Sequence, residues 1–135
     1  MGWVDGAPRN LRLPYYCGMR GSVQRMDQTQ LLKGVLDLAV LAVVADDDGY
    51  GYDVVRRLRE AGLDDVGEAS VYGTLRRLYA AGALTSYVVA SDSGPHRKYY
   101  GITAPGRSQL KEQAQDWAHF TTTVTALLDR QEARS

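Results

Sequence analysis

EASVYGTLRRLYAAGALTSYVVASDSGPHRKYY, residues 68–100, sets a helix directly before a hairpin. In its first half the apolar Val71, Leu75 and Leu78 recur at offsets of four and three, one face of a helix, while Ser70, Tyr72, Gly73, Arg76 and Arg77 point elsewhere. A buried stripe therefore carries a polar, cationic face. Gly82 stands where the helix has to stop, because a residue without Cβ takes the left-handed conformation that closes a last turn. From Leu84 to Ala90 the chain is rich in Val, Thr and Tyr, SDSGP is a cluster of turn formers, and His96 to Thr103 returns with Arg97, Lys98, Tyr99 and Tyr100. A helix followed by a basic-tipped hairpin is the second half of a winged helix-turn-helix.

Residues 69–98 hold Arg76, Arg77, Arg97 and Lys98 against Asp92 alone, a net charge of +3 in a chain whose formal net charge is zero. Concentrated positive charge is what phosphate contact requires, since counterion release supplies most sequence-independent affinity for nucleic acid. Either piece alone reads as a solvated helix face or an ordinary hairpin. In this order they point to a reading helix and a wing for duplex DNA, with Ser70, Tyr72, Gly73, Arg76, Arg77, His96, Arg97 and Lys98 as candidate contacts.

Upstream, from Asp27, the sequence becomes periodic: Leu31, Leu32, Val35, Leu36, Leu38, Ala39, Ala42 and Val43 fill a broad apolar stripe that runs to Asp46-Asp47-Asp48-Gly49. Lys33 lies off that stripe near its start, where it can reach a phosphate or simply remain solvated. Gly49 to Gly51 reads as a turn, and Tyr52, Val55 and Leu58 define a shorter second helix ending near Ala61-Gly62. These helices and the reading helix give the tri-helical order that lays the last helix in a major groove. Residues 1–25 differ from the rest, with Arg9, Arg12, Arg20 and Arg25 against Asp5 and six Gly or Pro interrupting any helical run. They read as a disordered or weakly docked tail, and MDQTQLLKGV from Met26 reads as a natural beginning, although Trp3, Tyr15 and Tyr16 offer an aromatic trio for docking.

Downstream of the wing, Thr103-Ala104-Pro105 opens a final helix: threonine caps free amides, and proline in the first turn sacrifices no intrahelical hydrogen bond. Along it Leu110, Trp117 and Val124 recur every seven residues, and Ala114, Thr121 and Leu128 do so in the complementary positions, with Phe120 and Leu127 widening the seam. A strict seven-residue repeat suits a partner helix, and a symmetric second copy suits a palindromic site, so the seam reads as a homodimer contact; docking onto the chain's own core is the alternative. The expected organisation is a tail (1–26), a winged helix-turn-helix (27–103) and a dimerisation helix (104–131): mainly α with a small β-hairpin wing, an α+β fold.

The outer limits agree. A chain of 135 residues, 44% hydrophobic and 24% charged, is one ordinary domain. One cysteine, Cys17, excludes an intramolecular disulfide, and two isolated histidines write no zinc spacing, so no metal or cofactor is expected and a reducing cytoplasm is the simplest compartment. No apolar run approaches the roughly 20 residues that span a bilayer. His96 and His119 lie in different elements with no serine, cysteine or paired carboxylate at catalytic spacing, so the sequence does not read as an enzyme. A winged helix that mediates protein contacts without DNA is the competing class, and it has no need for clustered Arg76, Arg77, Arg97 and Lys98.

LLKGVLDLAVLAVV, GYGYDVVRRLREAG, ASVYGTLRRLYAAGAL and GPHRKYYGITAPGR, in that order over about residues 29–130, resemble the successive signatures of the PadR family of bacterial transcriptional regulators. The resemblance implies a homodimeric repressor whose winged helix-turn-helix grips operator DNA and whose C-terminal helix makes the dimer, here of the smaller-bodied branch. It puts Tyr72 and Gly73 at the DNA-facing start of the reading helix, Arg76 and Arg77 along it, Arg97 and Lys98 on the wing, and Lys33 near the DNA backbone. Gly73 stands where many relatives have proline, which loosens the first turn. Trp117 matches a tryptophan with which some PadR-like dimers bind flat hydrophobic effectors, so Trp117 and Phe120 are candidate contacts for a planar aromatic small molecule; the alternative is that the tryptophans simply pack in the dimer.

Overall fold

The computed structural model describes residues 31–32, 34–92 and 94–134. The expectations placed on the N-terminal tail, on Met26 and on Lys33 lie outside the described residues.

Helix α1 (Leu36–Asp46) is the central element, and α2 (Gly51–Glu60), α3 (Glu68–Ala80), the long α4 (Ala104–Arg134) and strand β3 (Arg97–Ile102) all pack on it. Its sequence, LDLAVLAVVAD, is apolar almost all the way round, as suits a helix covered on several sides. That composition is why the expected stripe is corrected. Val40, Leu41 and Val44 are the fully buried residues, Leu36, Ala39 and Val43 pack at the margin, and Ala42 is exposed. The expected continuous helix is also broken. Leu31 and Leu32 are helical, but Gly34 and Val35 form a turn in which both amides donate to the Leu32 carbonyl, 3.0 Å each, so α1 starts in a new phase at Leu36.

The expected turn at Gly49–Gly51 is a second correction. Gly49–Tyr50 is a short strand, β1, that pairs antiparallel with β3 in the register Gly49↔Tyr100 and Tyr50↔Tyr99. Strand β2 (Leu84–Val89) pairs on the other side of β3, from Leu84↔Ile102 to Val89↔Arg97. The sheet order is β1-β3-β2, so two residues of β1 add a third strand to a hairpin whose base, at Leu84, Tyr100 and Ile102, packs in the core. Four helices and this sheet make a winged helix-turn-helix among the described residues.

Local chemistry explains the boundaries. At the ends of α2 and α3, Gly62 and Gly82 have φ of +121° and +85°, and the amides of Leu63 and Ala83 reach back to the carbonyls of Leu58 and Leu78, 3.1 and 2.9 Å. This is the glycine-terminated closure expected at Gly82. Thr103 caps α4: its hydroxyl accepts from the Gly106 amide at 3.0 Å and lies 2.7 and 2.9 Å from the carbonyls of Gly82 and Ala83, to which it donates. One side chain thus starts α4 and ties it to the end of α3.

Candidate nucleic-acid interface

In α3 the apolar Val71, Leu75 and Leu78 are buried, as is Thr74, which leaves Tyr72 and Arg76 to face outward between the helix and the hairpin, while Gly73 does not line that groove. There they meet β1, the start of α2 and β3 around an open groove of about 400 Å³. Leu75 and Tyr100 line its apolar part, Tyr50, Gly51 and Tyr52 come from β1 and α2, Tyr72 and Arg76 from α3, and Arg97 and Lys98 from the wing. Gly51 permits the closest approach, since a Cβ there would lie 2.5 Å from the Tyr72 ring. The reading-helix tyrosine therefore rests on the bare backbone at the start of α2.

Tyr52 was expected on the buried stripe of the second helix and is instead 48% exposed, its place in the core taken by Val54. With α2 starting at Gly51, Tyr52 falls on the groove side and Val54, Val55 and Leu58 on the core side. Tyr50 is the groove residue that the sequence hid. Its signal was a two-residue strand, too short to show alternation.

The cations divide into two groups. Arg56 pairs with Asp53 and, at 3.1 Å, with Glu60. Arg57 donates to the carbonyls of Val43 and Asp47, 3.0 Å each, closing the C-terminal end of α1, and pairs with Asp53 at 3.2 Å. Arg59 donates to the Val66 carbonyl at 3.0 Å. Arg77, a candidate DNA contact, turns from the groove toward α1, where its guanidinium makes two hydrogen bonds to the Asp37 carboxylate, 3.2 and 3.3 Å, and one to the Thr74 hydroxyl, 3.1 Å. By contrast Arg76, Arg97 and Lys98 form no ion pair among the described residues.

Arg97 and Lys98 are successive strand residues and so leave β3 on opposite faces. The Arg97 guanidinium lies 4.5 Å from the centroid of Tyr50, and the Lys98 ammonium 5.4 Å from Tyr79 and 5.6 Å from Tyr100. Rings hold both side chains without neutralising them. Ser70 and His96 are exposed, the former in the first turn of α3 and the latter just before β3, and neither lines the groove. Gly73 is the sixth residue of α3 and lies in its second turn, not at its start, because the helix already begins at Glu68.

On the outer face of the sheet the tyrosines of three strands form a row: Tyr50 to Tyr99 at 5.5 Å, tilted, and Tyr99 to Tyr87 at 5.8 Å, stacked. The row ends where the Tyr87 hydroxyl donates to the Asp48 carboxylate at 2.5 Å. That bond, more than the accompanying burial, pushes the Tyr87 pKa up to about 12. Its stabilising effect is fully present below pH about 10, the ordinary range for tyrosine, and is lost as pH climbs through the raised value.

Along α4 the seven-residue seam divides. Leu110, its first position, packs against the core of its own chain. Beyond it Trp117, Phe120, Leu127 and Leu128 are 43, 59, 50 and 61% exposed, Val124 and Ala114 are also exposed, and Thr121 is half-buried with its hydroxyl donating back to the carbonyls of Trp117 and Ala118. Trp117 and Phe120 lie side by side, ring centroids 6.2 Å apart.

The profile of the PadR-like transcriptional regulator family matches residues 40–112, the span from within α1 through α2, α3 and the wing to the first turns of α4. The chain belongs to the PadR-like family of transcriptional regulators. Solved structures agree. A PadR-like transcriptional regulator from Bacillus cereus is 39% identical, aligned over 73% of this chain and 96% of its own length, with a TM-score of 0.66. A PadR family transcriptional regulator from Eggerthella lenta is 31% identical, over 74% and 87% of the two chains, with a TM-score of 0.68. An uncharacterised protein of Lysinibacillus sphaericus is 27% identical over 106 residues, 77% of this chain and 97% of its own. PadR-like regulators act on DNA, and the groove lies at the position where this fold presents its reading helix and wing together. No helix among the described residues is long and apolar enough to cross a membrane.

Proposed function

We propose that this PadR-like chain is a homodimeric, sequence-specific operator-binding repressor, released by a small planar aromatic effector. The observation that carries the reading is the convergence of Arg76, Arg97 and Lys98 on one groove, without an ion pair among the described residues, while Arg56, Arg57, Arg59 and Arg77 are taken up by partners within the fold. Cations held over rings, as Arg97 and Lys98 are, suit phosphate contact beside a reading helix. In this reading Arg97 and Lys98 position the duplex, Tyr72, Gly73 and Arg76 approach base edges, and Ser70 and His96 reach the backbone. Arg77 has a docking role, holding α3 against α1 through Asp37.

The exposed seam of α4 supports the dimer. A helix of 31 residues is about 46 Å long at 1.5 Å per residue, and from Trp117 onward it carries Trp117, Phe120, Val124, Leu127 and Leu128 exposed among the described residues. A second copy buries that face and sets two reading helices for a palindromic site. The side-by-side Trp117 and Phe120, with small Ala114 and Thr121 nearby, suit a slot for a flat aromatic molecule between copies. A winged helix devoted to protein contacts is the second reading, and the unpaired groove cations favour DNA over it.

Sedimentation of the full chain alone and with its own upstream DNA is the test. A dimer that retains the fragment is expected. A chain that stays monomeric at micromolar concentration and leaves the fragment free would contradict the proposal.

A further inference from the structure

We propose that Asp48 is a positioning residue for DNA contact: its carboxylate crosses Gly101 of β3 to hold Tyr87 of β2, fixing the pitch of the wing that carries Arg97. The inference rests on the groove being a DNA-contact surface.

Asp48 immediately precedes β1, whereas Tyr87 lies on the far strand of the order β1-β3-β2. Two strand spacings, about 10 Å, separate those lines of backbone. The carboxylate can cross because the residue beneath it is Gly101, where a Cβ would stand 3.0 Å from each carboxylate oxygen. The oxygen-to-oxygen distance of 2.5 Å belongs to the short, charge-assisted class of hydrogen bond. A tie of this kind has mechanical consequence here, since only the base of the hairpin, at Leu84, Tyr100 and Ile102, packs in the core, whereas toward its tip Val88 and Val89 are exposed and β1 pairs no further than Tyr99. The tie then passes along the tyrosine row, from Tyr87 through Tyr99 to Tyr50, and Tyr50 is the ring under the Arg97 guanidinium. Asp48 thus sets where a phosphate-seeking side chain sits, 49 positions further along the chain.

Simple electrostatics makes the opposite forecast for the same residue. Removing a negative charge near a DNA-binding surface strengthens binding through the field alone, whereas removing a wing tie weakens it. The sign separates them. Full-length Asp48→Asn, Tyr87→Phe and Arg97→Ala proteins, and the Tyr87→Phe/Arg97→Ala double variant, are compared on one upstream DNA fragment at several salt concentrations. Tyr87→Phe changes no charge and keeps the ring, so it serves if Asp48→Asn disturbs folding.

The expected result is a loss of affinity of about three- to tenfold for both Asp48→Asn and Tyr87→Phe, the range of one hydrogen bond, with a shallower salt slope. The double variant should bind no more weakly than Arg97→Ala, because the tie acts through that side chain. Tyr87 ionisation, read as the difference between wild-type and Tyr87→Phe titrations, should drop from about 12 toward the ordinary tyrosine range when measured in the Asp48→Asn background. Unchanged or tighter binding by Asp48→Asn and Tyr87→Phe beside a weakened Arg97→Ala would overturn the positioning role and leave the DNA reading standing. An Arg97→Ala protein that binds as wild type would remove the DNA reading of the wing and the positioning role with it.

Discussion

Arg76 and Arg77 are neighbours in sequence with opposite fates. One faces the groove without an ion pair among the described residues, and the other is held by Asp37, a partner 40 positions away. Spacing along α3 showed that both leave the buried stripe, but the identity of a partner so distant in sequence is a tertiary fact that helical periodicity does not carry. The same holds for Tyr87 and Asp48, separated by 39 positions. Glycine shows the residue scale most sharply, because one substitution has opposite effects at two sites. At Gly73 an added Cβ would come no closer than 4.0 Å to the Arg76 guanidinium, so Gly73→Ala should raise stability by about 0.5–1 kcal/mol through helix propensity. At Gly106 an added Cβ would run into the Ala83 carbonyl and stand 2.9 Å from Ile102, so Gly106→Ala should lower stability by about 1–3 kcal/mol, as overpacking does. Thermal unfolding of the two variants checks both signs, and a stabilised Gly106→Ala would show that α4 does not start where it packs on Ala83.

The elements were legible in proportion to their chemistry. The helix of Val71, Leu75 and Leu78, its stop at Gly82, the hairpin and the Thr103 cap all follow from short-range rules of spacing, φ and capping, and all are present. Where those rules are silent the expectations shifted. LDLAVLAVVAD is apolar on every side, so its pattern could not select Val40, Leu41 and Val44 as the innermost residues. Gly49–Tyr50 is too short for alternation and owes its strand character to pairing with β3. Tyr52 looked like a core residue because it is large and apolar in part, but it sits half-exposed on the groove rim. The groove was therefore half visible: its cations from α3 and the wing could be read, and its tyrosines from β1 and α2 could not.

At the scale of the molecule, α4 packs on the core near its start, at Gly106 and Leu110, and is exposed and apolar from Trp117 onward, the arrangement expected of a helix completed by another copy. The effector proposal belongs here. A flat aromatic ligand can release DNA only to the extent that it prefers a dimer with misplaced reading helices, and couplings of about 1–3 kcal/mol correspond to a roughly 5- to 150-fold loss of operator affinity. Planar dyes should quench Trp117 in a protein lacking Trp3, and Trp117→Ala should abolish that binding. Dye binding that survives the substitution unchanged would leave Trp117 as dimer packing alone.

The central claim is that the wing cations Arg97 and Lys98 neutralise DNA phosphates, and the salt dependence of affinity reads that number directly. For the full-length protein on its upstream fragment, the logarithm of affinity should fall steeply and linearly with the logarithm of salt concentration. Arg97→Ala should reduce the slope by about one per half-site for every fragment tested, while Arg77→Ala should leave it unchanged. Equal slopes for wild type and Arg97→Ala, or a slope lost with Arg77→Ala instead, would contradict the account.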